Sequence, residues 1–286
     1  MGLQGYLVLW CGVFGTVALV GYARSLAGMT RAQRAVRVMG RMERVREPRH
    51  GSSQRDGIPV VVSLQDPSTG EEFTVTNDGD HGEKITAAWP GREIGVRYPP
   101  GRPHAFQFVG DLWAGRRGLG WPNFAVFLVY AGLVVFAAID WAWPWALIGF
   151  GAPWTVSGVW YLPQNERAVN RRIAALTSRP PVQGRVVAVL TDTSTDEDGH
   201  TSTSHTPVVT FTTQWGTTVT AYCTEGLPDP ANSHGRSVTI HYTPDDPAVF
   251  TTDLAAEHRS RSLDITCGAV ALLLGVAAVV VGAVLV

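Results

Sequence analysis

A repeat with a spacing of 144 residues is the feature that most constrains this chain. Gly40-Arg41 recurs as Gly184-Arg185, and Gly91-Arg92 recurs as Gly235-Arg236. The same spacing relates Tyr98, Pro100, Pro103 and Phe106 to Tyr242, Pro244, Pro247 and Phe250. Each copy contains an apolar span, an Arg-rich stretch, a β-patterned segment and a second apolar span. The sequence therefore predicts an internal duplication, so that a fold assigned to one copy applies to the other.

The apolar residues are concentrated in blocks, as in a membrane protein. Hydrophobic residues make up 45% of the chain and charged residues 16%. We expect four transmembrane helices, at residues 3–22, 122–140, 144–162 and 264–286. Segments of about 20 apolar residues span a hydrocarbon core of about 30 Å. No Lys or Arg precedes the first span, and this favours an uncleaved anchor over a secretory signal.

The cations predict the orientation of these spans. All 23 Lys and Arg residues lie either between the first and second spans or between the third and fourth. The turn between the second and third spans, residues 140–144, carries none. By the positive-inside rule we expect a multi-pass protein of the cell membrane with both large loops in the cytoplasm.

Each large loop has the pattern of a small all-β domain, at residues 40–112 and 182–254. In the second copy we expect strands at residues 184–193, 207–213, 217–224, 237–242 and 248–252, because these stretches are rich in Val, Thr and aromatic residues. A barrel or sandwich of about 65 residues is close to the lower limit for an independent core, so each domain should lean on its twin or on a neighbouring element. We expect juxtamembrane helices at residues 23–39, which are Arg-rich, and at 163–178.

These β-patterned segments carry a family resemblance. The string Val238, Ile240, Tyr242, Pro244 and Pro247 follows Gly235, and Thr206-Pro-Val-Val-Thr-Phe211 and a glycine hairpin at Gly216 precede it. This pattern resembles the bacterial, largely actinobacterial, domain-of-unknown-function 3592 family. Residues 58–62 and 91–103 resemble it as a second, tandem copy, although Pro99 and Gly101-Arg102 stand where the other copy has Thr243 and Asp245-Asp246. The resemblance implies membrane helices around a β domain, and it implies no particular activity.

Two acidic loops, at residues 78–83 and 192–205, are the candidate metal sites. Ser194, Asp196, Asp198 and Gly199 match positions one, three, five and six of a calcium loop, but position twelve is His205 rather than Glu. Glu197 and His200 lie in the same loop, and Asp78, Asp80 and His81 lie in the loop of the first copy. The alternative is a solvated hairpin tip, which the differing spacing of the acids favours. Cation binding by these loops stays open, and we assign no metal ligand.

Motifs for catalysis are absent from the sequence. It contains no G-x-S-x-G, no H-E-x-x-H, no phosphate-binding loop and no G-x-G-x-x-G after a strand. Cys11, Cys223 and Cys267 do not form a cysteine metal motif. Cys223, His241 and His258 are lone candidates that nothing in the sequence brings together. We therefore predict no catalytic residue, no cofactor and no enzyme activity.

The Arg-rich arm and the spans bear on partners. Residues 23–57 contain no aromatic side chain for base stacking, which argues against nucleic acid. The arm is either a topology signal alone or an additional contact with anionic lipid. No span has a charged centre, and glycines at seven-residue intervals favour close helix packing over a pore. These glycines are Gly5 and Gly12, Gly151 and Gly158, and Gly268, Gly275 and Gly282, and the second span has Ala125 and Gly132 at the same interval.

Two functions remain. The first is a non-enzymatic scaffold in the lipid bilayer whose two cytoplasmic β domains bind an unknown protein partner. The alternative is a membrane protein that handles a small solute or a lipid and whose four-helix bundle is the active part.

Overall fold

The computed structural model divides the chain into two compact units. It describes residues 2–67, 69–78, 82–113, 117–196 and 198–286. The helical unit comprises Met1–Arg34, Trp113–Val169 and Ser260–Val286, and the β unit comprises Ala35–Leu112 and Asn170–Arg259.

The described residues form five α-helices: α1 Leu3–Leu26, α2 Arg31–Arg34, α3 Gly120–Asp140, α4 Pro144–Thr177 and α5 Leu254–Leu285. Of these, α1, α3 and α5 are long and apolar enough to cross a membrane. They expose large apolar side chains, such as Leu19 and Leu273, which are 72% and 66% exposed. Side chains of this kind favour hydrocarbon over water. The span expected at residues 144–162 is helical, but α4 does not meet the same measure, so a fourth span stays a prediction.

The two expected juxtamembrane helices differ from the structure. Residues 23–39 contain the end of α1, the four-residue α2 and the start of a strand, Val36–Val45. The long helix ends before Gly28, whose φ of 70° lies in the left-handed region. Within β1, exposed and buried residues alternate from Met39 to Glu43, as on a sheet. Residues 163–177 are not a separate helix, because α4 continues without interruption to Thr177.

Close helix packing in the helical unit occurs at glycines of several helix pairs. A Cβ added at Gly275 of α5 would lie 2.8 Å from Oγ1 of Thr155 in α4, and one at Gly151 would lie 3.1 Å from the carbonyl oxygen of Gly275. Helix α3 meets α1 at Gly132, where a Cβ would lie 3.0 Å from the Cys11 sulfur. The close packing expected at Gly12 of α1 is not present among the described residues, because no atom lies within 4 Å of a Cβ built there.

The β unit contains two sheets. The first sheet has the order β3-β2-β1-β5-β6, and the second has the order β11-β10-β7-β8-β9-β4. The strands of the first copy are β1 Val36–Val45, β2 Val60–Gln65, β3 Glu72–Thr76, β4 Ala87–Ala88, β5 Glu93–Tyr98 and β6 Gln107–Val109. Those of the second copy are β7 Val182–Thr195, β8 Thr201–Thr212, β9 Thr218–Tyr222, β10 Ser237–Tyr242 and β11 Phe250–Thr251. Strands occur at all five positions predicted for the second copy, but β8 begins at Thr201 rather than at residue 207.

The two copies use the same backbone pairings at positions 144 residues apart. Gly40 pairs with Ile94 across β1 and β5, and Gly184 pairs with Val238 across β7 and β10. The N–H of Met42 donates to the Arg92 carbonyl at 2.8 Å, and the N–H of Val186 donates to the Arg236 carbonyl at 2.9 Å. A β-bulge follows both donors, between Met42 and Arg44 and between Val186 and Ala188. A bulge bends a strand and increases its twist, so β1 and β7 are shaped alike.

The stretches expected as separate domains share one unit. Strand β4 of the first copy pairs with β9 of the second, with Ala87 opposite Ala221. One hydrophobic core contains Met42 and Val62 together with Ala188 and Leu190, and all four side chains are completely buried. The copies therefore share a core, and the second sheet contains a strand from the first copy, whereas the first sheet is built from the first copy alone.

Candidate functional site

A polar pocket of about 390 Å³ in the β unit is lined by residues from both edge strands of the second sheet, β4 and β11. Its walls come from the β4 region, the segment after β9, the β11 region, the end of α4 and the start of α5. The lining residues are Thr86, Ala87, Arg92, Arg172, Tyr222, Cys223, Thr224, Glu225, Ala248, Phe250, Thr251 and Glu257. Of these residues, Cys223 was a candidate from the sequence. The pocket itself was not predicted, because its walls come from distant parts of the chain.

The arginines of the pocket are engaged in contacts within the protein. The guanidinium of Arg172 lies 2.9 Å from the carboxylate of Glu257. The guanidinium of Arg92 donates to the Ala87 carbonyl and lies over the Trp89 ring, 4.7 Å from its centroid. Burial lowers the pKa of Arg92, and the charge of Asp246 opposes this shift. Arg92 therefore holds the turn between β4 and β5 in place.

Cys223 is the nucleophilic side chain of the pocket. Its thiol is buried, and its sulfur lies 3.3 Å from the Glu225 carbonyl and 3.7 Å from the Thr252 hydroxyl. Burial raises the pKa of the Cys223 thiol, and the two hydrogen bonds oppose this shift. A thiol that keeps its proton is a poor nucleophile. Neither His241 nor His258 is a hydrogen-bond partner of this thiol within the described chain.

The acidic loop predicted at residues 192–205 is mostly strand: it comprises the end of β7, the start of β8 and the short turn between Thr195 and Thr201. Asp192 accepts hydrogen bonds from the Ser53 hydroxyl at 2.6 Å and from the Gln54 N–H at 3.3 Å. Asp196 accepts one from the His200 N–H at 2.8 Å. Two of its carboxylates thus serve structural contacts, one between the copies and one within the turn.

Several members of the acidic loops, Glu197, Asp80 and His81, lie outside the described residues. Within the described residues, no group of three or more His, Cys, Asp or Glu side chains could hold a metal ion. Cation binding by residues 78–83 and 192–205 stays an open question.

A histidine pair joins the two copies at the bulge of β7. The rings of His50 and His234 are stacked with their centroids 4.3 Å apart. Nδ1 of His50 accepts from the Val189 N–H at 3.1 Å, and Nε2 of His234 lies 3.1 Å from the Val187 carbonyl oxygen. This pair was not predicted from the sequence, because the two histidines do not occupy equivalent positions in the repeat.

The outer edge of β3 is a candidate partner-binding surface. The Asp66 N–H donates to the Glu71 carbonyl at 2.9 Å in the hairpin between β2 and β3. Because hydrogen-bonded and non-bonded pairs alternate in an antiparallel ladder, the N–H and C=O groups of Glu72, Thr74 and Thr76 point away from β2. Among the described strands, none pairs with this edge.

The corresponding edge in the second copy is covered. There the Tyr222 N–H donates to the Thr86 carbonyl at 2.7 Å, and Ala88 of β4 lies opposite Thr220. The positions 144 residues before Thr220 and Tyr222 are Thr76 and Asp78. In the second copy, the segment equivalent to β4 forms a 3₁₀ helix, Pro230–Asn232, instead of a strand. Strand β4 therefore covers the outer edge of β9, whereas no described strand covers the equivalent edge of β3.

Residues 182–255 match the family described as a domain of unknown function, DUF3592. Neither the curated proteins nor the solved structures gave a match to this chain.

The DUF3592 match spans β7 to β11 and the first residues of α5. It includes β10, on which Ile240 and Tyr242 are buried in one core. The match supports the resemblance for the second copy, while the resemblance of the first copy stays a prediction. Since β4 lies outside residues 182–255, the matched segment does not contain the strand that completes its own sheet.

Proposed function

We propose that this chain is a non-enzymatic membrane scaffold whose β unit binds a protein partner along the outer edge of β3. The observation that carries the proposal is the difference between two equivalent edges. Strand β4 pairs with β9, and no described strand pairs with β3. Addition of an extended segment to an exposed sheet edge is a common mode of peptide recognition. The chain itself provides an example of this pairing at β9.

The charges around the edge favour a basic partner segment. Glu71 and Glu72 lie at one end of β3 and Asp78 lies beyond the other, and all three side chains are exposed. Two copies of this edge paired with each other would bring like charges together, which destabilises cross-strand pairs. An extended segment with Lys or Arg would instead place opposite charges across the pair.

The proposal includes four membrane spans, an internal duplication and a cytoplasmic β unit. The distribution of the 23 Lys and Arg residues supports this orientation, because all lie in the two large loops. The paired bulges and equal registers of β1 and β7 support the duplication. The helical conformation of residues 144–162 supports the fourth span.

The absence of catalysis is also part of the proposal. Support comes from the described polar groups of the pocket, which are held in structural contacts. Arg172 pairs with Glu257, Arg92 binds the Ala87 carbonyl, and burial favours the protonated form of Cys223.

Handling of a small solute or lipid by the helices is the second candidate function. It is supported by an apolar groove of about 860 Å³ in the helical unit.

The scaffold proposal is tested in the full-length chain with one proline substitution on the outer edge of β3 and one on the part of β8 that β9 does not cover. Thr74→Pro removes an outward N–H from β3 without removing a β2–β3 hydrogen bond. Thr203→Pro is the matched control, because Thr203 is equally exposed and lies on β8 beyond the part that β9 covers. Cells that express each variant are cross-linked, and the chain is purified in mild detergent.

We expect a defined partner to be cross-linked to the wild-type chain and to Thr203→Pro, and to be lost from Thr74→Pro. Recovery of the same partner with Thr74→Pro would contradict binding at β3. Circular dichroism of both variants checks that the β unit stays folded. A fold lost in Thr74→Pro alone would require Glu72→Lys as the test, since that substitution changes the charge of the edge and leaves the backbone intact.

A further inference from the structure

The groove in the helical unit runs between α1 and α3. Its volume is about 860 Å³, and apolar side chains and glycines of α1 form most of its wall. Thr16 is a polar exception, but its hydroxyl donates to the Gly12 carbonyl at 2.8 Å within the helix. The wall therefore presents an apolar surface to an occupant.

The groove is elongated along α1. It extends from Val8 to Arg24 along α1. At a rise of about 1.5 Å per residue this interval covers about 24 Å along the helix. Gly12 lies on the groove, and no atom comes within 4 Å of a Cβ built there, so the groove is open at this point. At Gly21, the side chain of Pro122 from α3 closes its floor.

One end of the groove is cationic. Arg24 lies in the last turn of α1 and lines this end together with Trp121 of α3. The Ser25 hydroxyl donates to the Arg117 carbonyl at 2.9 Å, which brings a second arginine beside the same turn. None of the residues that line the groove is acidic. Tryptophan and arginine at a helix end are typical of the level of the lipid head groups.

We propose that this groove binds one acyl chain of an anionic phospholipid, with the lipid phosphate at Arg24. The inference rests on the assignment of α1 and α3 as membrane spans and is independent of partner binding at β3. An apolar groove that ends in arginine is complementary to an amphiphile with a negative head group. A docked protein helix would match the apolar wall but would leave the cationic end without a partner.

The charge of Arg24 also predicts a preference among lipids. Phosphatidylglycerol carries a net negative charge, whereas phosphatidylcholine is zwitterionic. For a single arginine near the membrane surface we expect about a fivefold preference for the anionic lipid.

Two glycines of α1 provide a matched pair of variants. Gly12 lines the groove and Gly15 does not, and a Cβ at either position meets no atom within 4 Å. Gly12→Leu should therefore fill the groove without a clash, and Gly15→Leu should add the same side chain elsewhere on the helix. Arg24→Gln removes the cation, and Arg24→Lys retains it.

The experiment is native mass spectrometry of the full-length chain, titrated with phosphatidylglycerol and phosphatidylcholine that carry the same acyl chains. We expect one tightly bound phosphatidylglycerol on the wild type and on Gly15→Leu, and at least a tenfold loss of binding in Gly12→Leu. Arg24→Gln should bind the two lipids equally, and Arg24→Lys should keep most of the preference. Glycerol phosphate should not displace the lipid, since it lacks the acyl chain.

Equal lipid binding by Gly12→Leu and the wild type would overturn the groove as the site. An unchanged preference in Arg24→Gln would overturn the position of the phosphate. A dimer that Gly12→Leu abolishes would identify a second copy as the occupant and overturn the lipid. Carbonate extraction separates these failures from the membrane assignment, because a chain that is extracted fails as a membrane protein, and a chain that is retained without lipid fails at the groove alone.

Discussion

The imidazole of His50 stacks on that of His234, and its Nδ1 accepts a hydrogen bond from the N–H of Val189 at 3.1 Å. Val189 is a core residue of the second copy, whereas His50 belongs to the loop after β1 of the first. A side chain of one copy thus provides an acceptor for a backbone donor in the other. This contact should contribute to the stability of the whole β unit.

His50→Phe is expected to destabilise the β unit, because it keeps an aromatic ring but leaves the Val189 N–H without its acceptor. The loss of an acceptor for a buried donor costs about 1–3 kcal/mol. Denaturant unfolding of the full-length chain in detergent, followed by near-UV circular dichroism, measures this difference. The control is His200→Phe in the exposed turn between β7 and β8, and equal stability of the two variants would show that the contact contributes nothing.

The stability of the β unit should fall at alkaline pH because of Tyr98. Burial raises the pKa of Tyr98 above its ordinary value of 10.0, and the nearby Asp66 raises it further, to about 12. The folded state therefore holds this proton to a higher pH than the unfolded state does. The resulting stabilisation is present below pH 10 and is lost as the pH rises towards 12.

Tyr98→Phe removes this contribution, so its stability should decline less over the same range than that of the wild type. Two pKa units correspond to a difference of at most about 2.7 kcal/mol. Denaturant unfolding at about pH 9 and about pH 11.5 gives both slopes. Parallel slopes for the two proteins would rule out a neutral, buried Tyr98 as the cause.

The proposed orientation predicts which engineered cysteines react from outside the cell. In a chain without its three native cysteines, Asp198→Cys in the turn between β7 and β8 should not react with a membrane-impermeant maleimide in intact cells. Ala142→Cys, in the short turn between α3 and α4, should react. Permeabilised cells should label Asp198→Cys as well, and labelling of this cysteine before permeabilisation would reverse the orientation.

Gly275→Val should force α4 and α5 apart. A Cβ at this position already meets Thr155 at 2.8 Å and Trp154 at 2.9 Å, so a larger side chain has no room. Overpacking of this kind typically costs about 1–3 kcal/mol. Thermal unfolding in detergent measures the loss, with Gly15→Val as the control, since a Cβ at Gly15 meets nothing within 4 Å. A similar melting temperature for both variants would mean that the two helices do not need this close approach.

The strands of the second copy were predictable because their local signals agree. Val238, Ile240 and Tyr242 alternate with polar residues on β10, and turn residues separate each strand from the next. The repeat also implied equivalent strands in the first copy, because a fold assigned to one copy applies to the other. Three membrane-length helices followed from their composition alone, because long runs of apolar residues need no tertiary information.

The prediction of a helix over residues 23–39 was wrong where β1 begins, although the sequence contained the signal for a strand. Residues 23–39 were expected to form a helix because Arg and apolar residues are mixed there. The repeat places Gly40-Arg41 at the position of Gly184-Arg185, which lie in a predicted strand, so the first copy should have been assigned a strand as well. The alternation of exposed and buried residues from Met39 to Glu43 agrees with that assignment.

The contacts between the copies were beyond the reach of sequence patterns. Strand β4 has two residues, Ala87 and Ala88, and its partner on β9 is more than 130 residues away. Neither periodicity nor composition identifies such a pairing. The stack of His50 on His234 and the pocket near Cys223 depend on the same long-range arrangement and were missed for the same reason.

The pairing of β4 with β9 also sets the order of events during protein synthesis. The first copy leaves the ribosome long before Tyr222, so Ala87 and Ala88 wait without their partner strand while α3 and α4 are being made. The β unit can close only after β9 has emerged. Synthesis of α3 and α4 therefore precedes the completion of the second sheet, and β4 has no partner strand until then.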